Sequence, residues 1–317
     1  MSGTATTTAT TATTPARPRQ RVGDRAFSAL TRLAGLTILV ALAGVAVFLT
    51  TEGFPALHAP ADKLGGASSL LGYVAPLVFG TLLAAVLALV IATPLSLGVA
   101  LVISHYAPPR LARPLGYLVD LLAAVPSVVY GLWGLAFLGV RLTPLYAWLE
   151  QHLGWVPLFA GPASTTGRTI LTASVVLAIM VLPIITAITR EIFVQTPTLN
   201  QEAALALGAT RWEMIRLAVL PYARSGIVSA VMLGLGRALG ETMAVAMVLS
   251  ASGVVSLNLI SNTNPSTIAA NIALKFPDST GLAVNALVAS GLVLFLITFV
   301  VNFAARAIVA RSERGRA

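Results

Sequence analysis

The stretch YVAPLVFGTLLAAVLALVIATPLSLGVALVIS, residues 73–104, contains no charged side chain. A helix needs about 20 apolar residues to cross a bilayer. Five further apolar runs reach that length, near residues 28–50, 115–140, 169–190, 217–250 and 282–308. Backbone polar groups must be satisfied within the chain in lipid, so each run predicts a helix. The sequence therefore predicts an all-α integral membrane protein with six transmembrane helices.

The composition supports this class and excludes several others. Hydrophobic residues make up 57% of the chain and charged residues only 10%, whereas a soluble domain carries about 25% charged residues. The absence of cysteine excludes disulfides, zinc–thiolate sites and thiol catalysis. The net charge of +9 lies mainly in short stretches beside apolar runs, without interleaved aromatic residues. This placement argues against a nucleic-acid partner and indicates a lipid bilayer as the surrounding medium.

The runs also divide the chain into segments. Residues 1–26 are rich in Thr and Ala and end in basic residues, which predicts a disordered tail. Residues 27–50 are expected to form the first membrane helix, and residues 51–72 an external loop. Residues 73–308 are expected to form a core of five membrane helices that includes an inside loop at 196–221. Residues 309–317 are expected to be a basic tail.

Basic residues predict the orientation of the chain. With the amino terminus inside, 15 of the 20 lysines and arginines fall in inside segments and four in outside segments, and the remaining one is Arg237. Positively charged loops stay on the cytoplasmic side. Both termini are therefore expected in the cytoplasm, with the chain in the cytoplasmic (inner) membrane of a bacterium.

The inside loop TPTLNQEAALALGATRWEMIRLAVLP, residues 196–221, has the pattern of two short helices. Thr198–Gln201 and Thr210–Glu213 have the spacing of capping boxes. The first would start a helix of about nine residues, and Gly208 suits the end of that helix. The apolar side chains of this loop have no obvious core to cover, which predicts docking onto a partner.

Two ionisable residues lie deep in the fifth run, within GLGRALGETMAVAMV, residues 234–248. Such residues inside a membrane usually mark a transport pathway. Arg237 and Glu241 are four positions apart, so on one helix they would share a face and pair. The guanidinium of Arg237 suits an oxyanion. Glu241 would weaken the binding of that anion or accept a hydrogen bond from a protonated oxyanion, such as hydrogen phosphate. The alternative is a structural ion pair. Thr242 follows directly and joins this candidate pathway set.

The third run contributes AVPSVVYGLWG, residues 124–134. Pro126 is expected to break the helix, and Ser127 to satisfy a freed carbonyl or line a cavity. Asp120 lies near the start of this run and is a weaker pathway candidate. His58, His105 and His152 have no metal-ligand spacing and are interpreted as surface residues.

The inside loop resembles a known family. Glu202-Ala203-Ala204, then Gly208, then the ending Leu220-Pro221 are similar to the EAA loop of permease subunits of bacterial ABC importers. The resemblance implies the type-I ABC importer permease fold, with a cytoplasmic coupling helix that sits in a groove of an ATPase. It assigns Glu202, Ala203, Ala204 and Gly208 to ATPase coupling. Ala218 departs from the pattern, which has Ile at that position.

The ATPase itself is expected to be a separate subunit. A phosphate-cradling loop needs Gly-x-x-x-x-Gly-Lys-Ser/Thr, and the only lysines, Lys63 and Lys275, precede Leu64 and Phe276. The chain is therefore predicted not to be an enzyme and to hold no cofactor. ATP and Mg would be used by the partner ATPase.

AVPSVVYGLWG and GRALGETMAVAMVLS narrow the resemblance to the C-type permease (PstC) of phosphate ABC importers. This resemblance implies that the chain forms a heterodimer with an A-type phosphate permease and works with two ATPase subunits and an external phosphate-binding protein. It also implies inward transport of inorganic phosphate.

Other functions fit the residues less well. Molybdate, sulfate and phosphonate are also oxyanions, and an arginine in the channel would bind any of them. A secondary transporter usually shows repeated halves, and no repeat is visible here. An intramembrane enzyme needs a convergent catalytic set, which one Arg–Glu pair does not supply.

Overall fold

The computed structural model describes the backbone of residues 22–314 and the side chains of residues 23–24 and 26–307. Within that range the structure is helical, and its only β contact is an isolated bridge between Ala251 and Asn264. Most of the predicted tail at 1–26 lies outside the described residues, but the first helix already begins at Val22. The last helix runs to Arg314 and so includes most of the predicted basic tail.

Twelve α-helices are described. They are α1 Val22–Gly53, α2 Leu70–Leu101, α3 Pro109–Ala123, α4 Ser127–Trp133, α5 Val140–Leu153, α6 Ile170–Val194, α7 Thr198–Ala206, α8 Arg211–Met214, α9 Leu220–Leu239, α10 Met243–Val248, α11 Ile268–Lys275 and α12 Leu282–Arg314. Single π turns at Val102–Tyr106, Gly134–Gly139 and Ile215–Val219 extend or join some of these helices.

Six helical segments are long and apolar enough to cross a membrane, as the sequence predicts. They are Ala26–His58, Leu70–Tyr106, Ser127–Leu153, Ile170–Val194, Arg211–Leu239 and Leu282–Ala307. The chain divides after Phe48 into two units. The described part of the first unit is the α1 segment up to Phe48, and its large apolar side chains are exposed, as suits a helix in contact with lipid.

The third span differs from the predicted 115–140. The helix α3 ends at Ala123, and α4 starts at Ser127 directly after Pro126. Proline has no N–H to donate and its ring obstructs the preceding turn, so the helix breaks there as expected. Asp120 therefore belongs to the separate helix α3 and not to the apolar span that follows.

The fifth span differs from the predicted 217–250. The helix α9 ends at Leu239, residues 240–242 form a break, and the short helix α10 follows. Glycine at 236 and 240 weakens the helix. Arg237 and Glu241 consequently lie on either side of a helix break, and the prediction that they share one helix face is wrong.

The helix α6 is the centre of the second unit. It packs against both α2 and α9, and its buried side chains, among them Leu177 and Ile185, form the main core. The helices α6 and α9 run antiparallel, because Gly226 approaches Ile192 while Gly234 approaches Ile185. In the same unit α4 lies directly against α10. The two broken spans therefore meet at their breaks.

Candidate anion site and coupling surface

Arg237 opens into a cavity of about 760 Å³ between α9 and α12. The cavity is lined by Ile184, Val228, Ser229, Met232, Leu233, Gly236, Arg237, Asn302, Ala305 and Arg306. None of these residues is acidic. The side chain of Arg237 is exposed, and no described carboxylate lies within ion-pair distance of it. Its N–H donors are therefore free to bind an anion.

Glu241 does not pair with Arg237. It is 8% exposed, and its Oε1 accepts a hydrogen bond of 3.0 Å from the backbone N–H of Ala244. The ion pairs among the described side chains are Lys63–Asp62 and Arg190–Asp120. The expected Arg237–Glu241 ion pair is therefore wrong, because the break at Gly240 turns the Glu241 carboxylate toward α10.

The short helix α10 has an oppositely charged side chain at each end. The Glu241 carboxylate accepts an N–H of its first turn, and Arg168 Nη2 donates to the Leu249 carbonyl at 3.3 Å. Both contacts satisfy backbone groups that a helix leaves unpaired at its ends. They also complement the helix dipole. Glu241 therefore stabilises α10, the short helix that follows the break after Arg237.

A pair of Glu241 variants tests this capping role. We expect Glu241→Ala to lower the stability of the chain by about 1 kcal/mol, the usual loss for a capping acceptor. Glu241→Gln keeps an acceptor oxygen and is expected to lose less than half as much. The measurement is thermal unfolding of the purified complex in detergent. Equal losses for both variants would show that the carboxylate charge, and not the capping bond, matters.

Thr242 and Ser127 lie beside the breaks and do not line the cavity. Thr242 Oγ1 donates to the Gly240 carbonyl at 3.1 Å. Ser127 is half-buried and begins α4. Three positions later, on the same face, the Tyr130 hydroxyl donates to the Leu122 carbonyl at 2.9 Å and so bridges the break at Pro126.

Tyr130 links the two breaks. Its hydroxyl bridges the break at Pro126, and its side chain packs against the main core, to which Ala238 and Leu239 at the end of α9 also belong. Ser127 does not line the cavity of Arg237, and its part in the pathway stays a prediction.

Asp120 lies elsewhere. Its carboxylate pairs with Arg190 at 3.6 Å, and the Arg190 guanidinium packs over Gly116. Both charged residues line a second cavity of about 560 Å³ near the ends of α2 and α6. Asp120 has its own partner and does not share the cavity of Arg237.

The loop at residues 196–221, called the coupling loop below for its expected role, has the two helices that the sequence predicts. The helix α7 has nine residues, and Gly208 follows it with a φ of +86°, a conformation that glycine adopts without strain. The second capping box is confirmed, with Thr210 N–H donating to Glu213 Oε2 at 2.7 Å. The first is wrong, because α7 begins at Thr198 and Gln201 Nε2 donates instead to the Thr196 carbonyl at 3.1 Å.

The surface of this loop is apolar and exposed. Leu199, Leu207 and Trp212 are 76%, 91% and 55% exposed. Glu202 and Ala203 are exposed with them, whereas Ala204 is half-buried and packs inward against a small core that contains Phe193, Met214 and Ile215. The inner side of the loop therefore packs against this small core, and its outer face is exposed.

Sequence reasoning missed two residues. His105 is half-buried, its Nδ1 lies 2.7 Å from Ser104 Oγ, and its ring meets the ring of Phe193 in α6 edge-on. It thus joins the π turn after α2 to α6 and is no ordinary surface residue. No spacing signals this contact, because Phe193 is far away in sequence. Arg306 lines the cavity of Arg237, and its position inside the last apolar run was the available signal.

Comparisons with known proteins agree with this architecture. Residues 92–314 match the family described as binding-protein-dependent transport system inner membrane component. The inward-facing MetNI methionine ABC transporter has a TM-score of 0.56 at 17% identity, over 75% of this chain and 95% of that chain. That likeness shows the fold, so the predicted type-I importer permease architecture is confirmed.

Relatives in sequence are more similar still. The chain is 45% identical over 312 residues to phosphate transport system permease protein PstC 2 of Mycobacterium tuberculosis, over 94% of this chain and 95% of the relative. It is 40% identical to PstC of Mesorhizobium japonicum, over 92% of this chain and 91% of the relative. The chain therefore belongs to the binding-protein-dependent transport system inner membrane components and, among them, to the PstC permease family.

Proposed function

We propose that this chain is the channel-forming permease subunit of an ATP-driven importer of inorganic phosphate. The observation that carries the proposal is Arg237, an arginine inside a membrane span that faces a cavity without a carboxylate among its lining residues. A planar guanidinium offers two parallel N–H donors to a phosphate oxyanion. Both relatives named above are phosphate transport system permeases, which supports phosphate over other oxyanions.

The proposal includes partners that hydrolyse ATP and complete the channel. Two ATPase subunits, which use ATP and Mg, would dock on the exposed face of the coupling loop around Glu202, Ala203 and Gly208. An A-type phosphate permease would form the other half of the channel, and an external phosphate-binding protein would deliver the anion. The chain would lie in the bacterial inner membrane with both termini in the cytoplasm, as its basic residues indicate.

A continuous helical path supports a mechanical link between coupling and transport. From Arg211 the chain runs through α8, a π turn and α9 to Arg237, a rise of about 39 Å at the pitch of an α-helix. Closure of the ATPase dimer would move the coupling loop, and this helix would carry the movement to Arg237. Opening after hydrolysis would return the site to face the cytoplasm.

Uptake in cells tests the substrate. Cells whose only high-affinity phosphate route contains this subunit are expected to accumulate labelled phosphate, and an excess of sulfate or molybdate is expected not to reduce it. A strain without the subunit serves as the control. Strong competition by sulfate or molybdate would shift the substrate to that oxyanion and leave the permease function standing.

A further inference from the structure

Arg306 lies in the same cavity as Arg237, on the facing helix α12. Asn302 stands one turn earlier on α12, so the two side chains share a face, and both are exposed. The facing wall on α9 contributes the hydroxyl of Ser229. Within the described part of the chain, no carboxylate lies within ion-pair distance of Arg306. The cavity therefore holds two unneutralised guanidinium groups and two polar side chains.

The two arginines occupy different depths. On α9 the lining residues run from Val228 to Arg237, a rise of about 14 Å. Because α9 continues from the coupling loop, Arg237 is at the end of the cavity farther from that loop.

Arg306 is at the other end. The helix α12 starts beside α11, and α11 contacts the beginning of α2 through the 2.7 Å bond from Asn271 to Tyr73. The far end of α2 packs next to the coupling loop. From Leu282 to Arg306 the helix rises about 36 Å, which carries Arg306 toward the coupling loop.

Two arginines at successive depths suit the passage of an anion. An anion held by one arginine in a medium of low dielectric constant would be bound strongly and released slowly. A pathway conducts when it offers several sites, each of which binds well enough to accept an ion and weakly enough to lose it. A second guanidinium on the inner side provides the next such site.

We propose that Arg306, together with Asn302, forms a second oxyanion position that receives phosphate from Arg237 on its way to the coupling-loop side. The inference rests on the proposed function, since it takes the transported anion to occupy Arg237 first. The ligand is a phosphate oxyanion. The headgroup of an anionic lipid has the same chemistry, so the experiment must distinguish the two sources.

The lack of cysteine in this chain permits a direct test. Arg306→Cys is introduced into the complete transport complex with cysteine-free partner subunits, in phosphatidylcholine vesicles. We expect phosphate uptake to fall about fivefold or more with the loss of one charge-assisted contact. Methanethiosulfonate ethylammonium, which restores a positive charge, is expected to restore most of it, and the ethylsulfonate reagent is not. Inorganic phosphate is expected to slow labelling of the thiol.

Ala304→Cys is the matched control, because Ala304 is exposed on the same helix but does not line the cavity. Its labelling is expected to be indifferent to phosphate and its uptake normal. Wild-type uptake in unlabelled Arg306→Cys, with Arg237→Gln inactive, would overturn the inference and leave the proposed function intact. Labelling that phosphate does not slow, but that slows in phosphatidylglycerol vesicles, would overturn it in favour of a lipid headgroup site.

Failure of the proposed function has a different result. A wild-type complex that takes up no phosphate would refute the substrate itself. The labelling experiment with the anion that is taken up would then decide the role of Arg306, with protection supporting a second anion position and its absence overturning it.

Discussion

Replacing Arg237 with glutamine is expected to lower phosphate uptake by about tenfold to a hundredfold, because hydrogen bonds to a charged group contribute about 1.5–3 kcal/mol each. The variant keeps a polar side chain of similar reach but loses the charge and the planar fork. Its assembly with the partner subunits is expected to be normal, since Arg237 is exposed in the cavity and stabilises no described carboxylate. The measurement is the initial rate of labelled phosphate uptake, with co-purification of the ATPase as the check on assembly.

Two further variants sharpen this result. Arg237→Lys retains a point charge without the bidentate geometry, so an intermediate rate is expected. Arg141→Gln removes an arginine whose guanidinium stacks over Phe137 at 4.0 Å, away from the cavity, and is expected to transport normally. If Arg237→Gln transported at the wild-type rate, Arg237 would have no part in anion binding.

The second large effect is expected at Gly208. Its φ of +86° costs an L-residue about 1–2 kcal/mol, and a β-branched side chain more. A Cβ at this position would meet open space, so the cost of a side chain here comes from backbone strain and not from a steric clash. Gly208→Val is expected to turn the end of α7 and to reduce both substrate-stimulated ATPase activity and uptake about tenfold. The measurement is ATPase activity of the reconstituted complex.

Two controls separate coupling from simple strain. Asparagine tolerates the left-handed region, so Gly208→Asn is expected to keep most of the coupling. Gly253 has a similar φ of +72° with open space around it and lies in another loop, so Gly253→Val is expected to leave coupling normal. Normal ATPase stimulation in Gly208→Val would contradict the assignment of this loop to coupling.

The number of membrane helices could be predicted from the sequence because hydrophobic length alone determines it. The second capping box and the break at Pro126 could also be predicted, since both depend on side chains a few positions apart. The break after Leu239 was missed. Apolar residues continue on both sides of this break, and the helix is interrupted where Gly240 and Glu241 stand.

The candidate site was partly predictable for the same reason. An arginine within an apolar run indicates a pathway whatever its surroundings. Arg237 is therefore a candidate from the sequence alone, and the structure places it in a cavity. Its expected partner was wrong, because four-residue spacing brings side chains together only on an unbroken helix. Arg306 carries the same signal, since it lies inside the last apolar run. His105 contacts the distant residue Phe193, and a single sequence carries no record of that contact.

The meeting of α4 and α10 also sets a limit on redesign. A Cβ on Gly131 would lie 2.8 Å from the Cα of Ala244 and 3.1 Å from the Met247 sulfur. The contact surface between α4 and α10, here called the seam, therefore has no space for a larger side chain at Gly131. The walls formed by α9 and α12 carry exposed, replaceable side chains instead. Directed evolution toward another oxyanion should therefore randomise positions on those walls, such as Ser229 and Asn302, and leave the seam untouched.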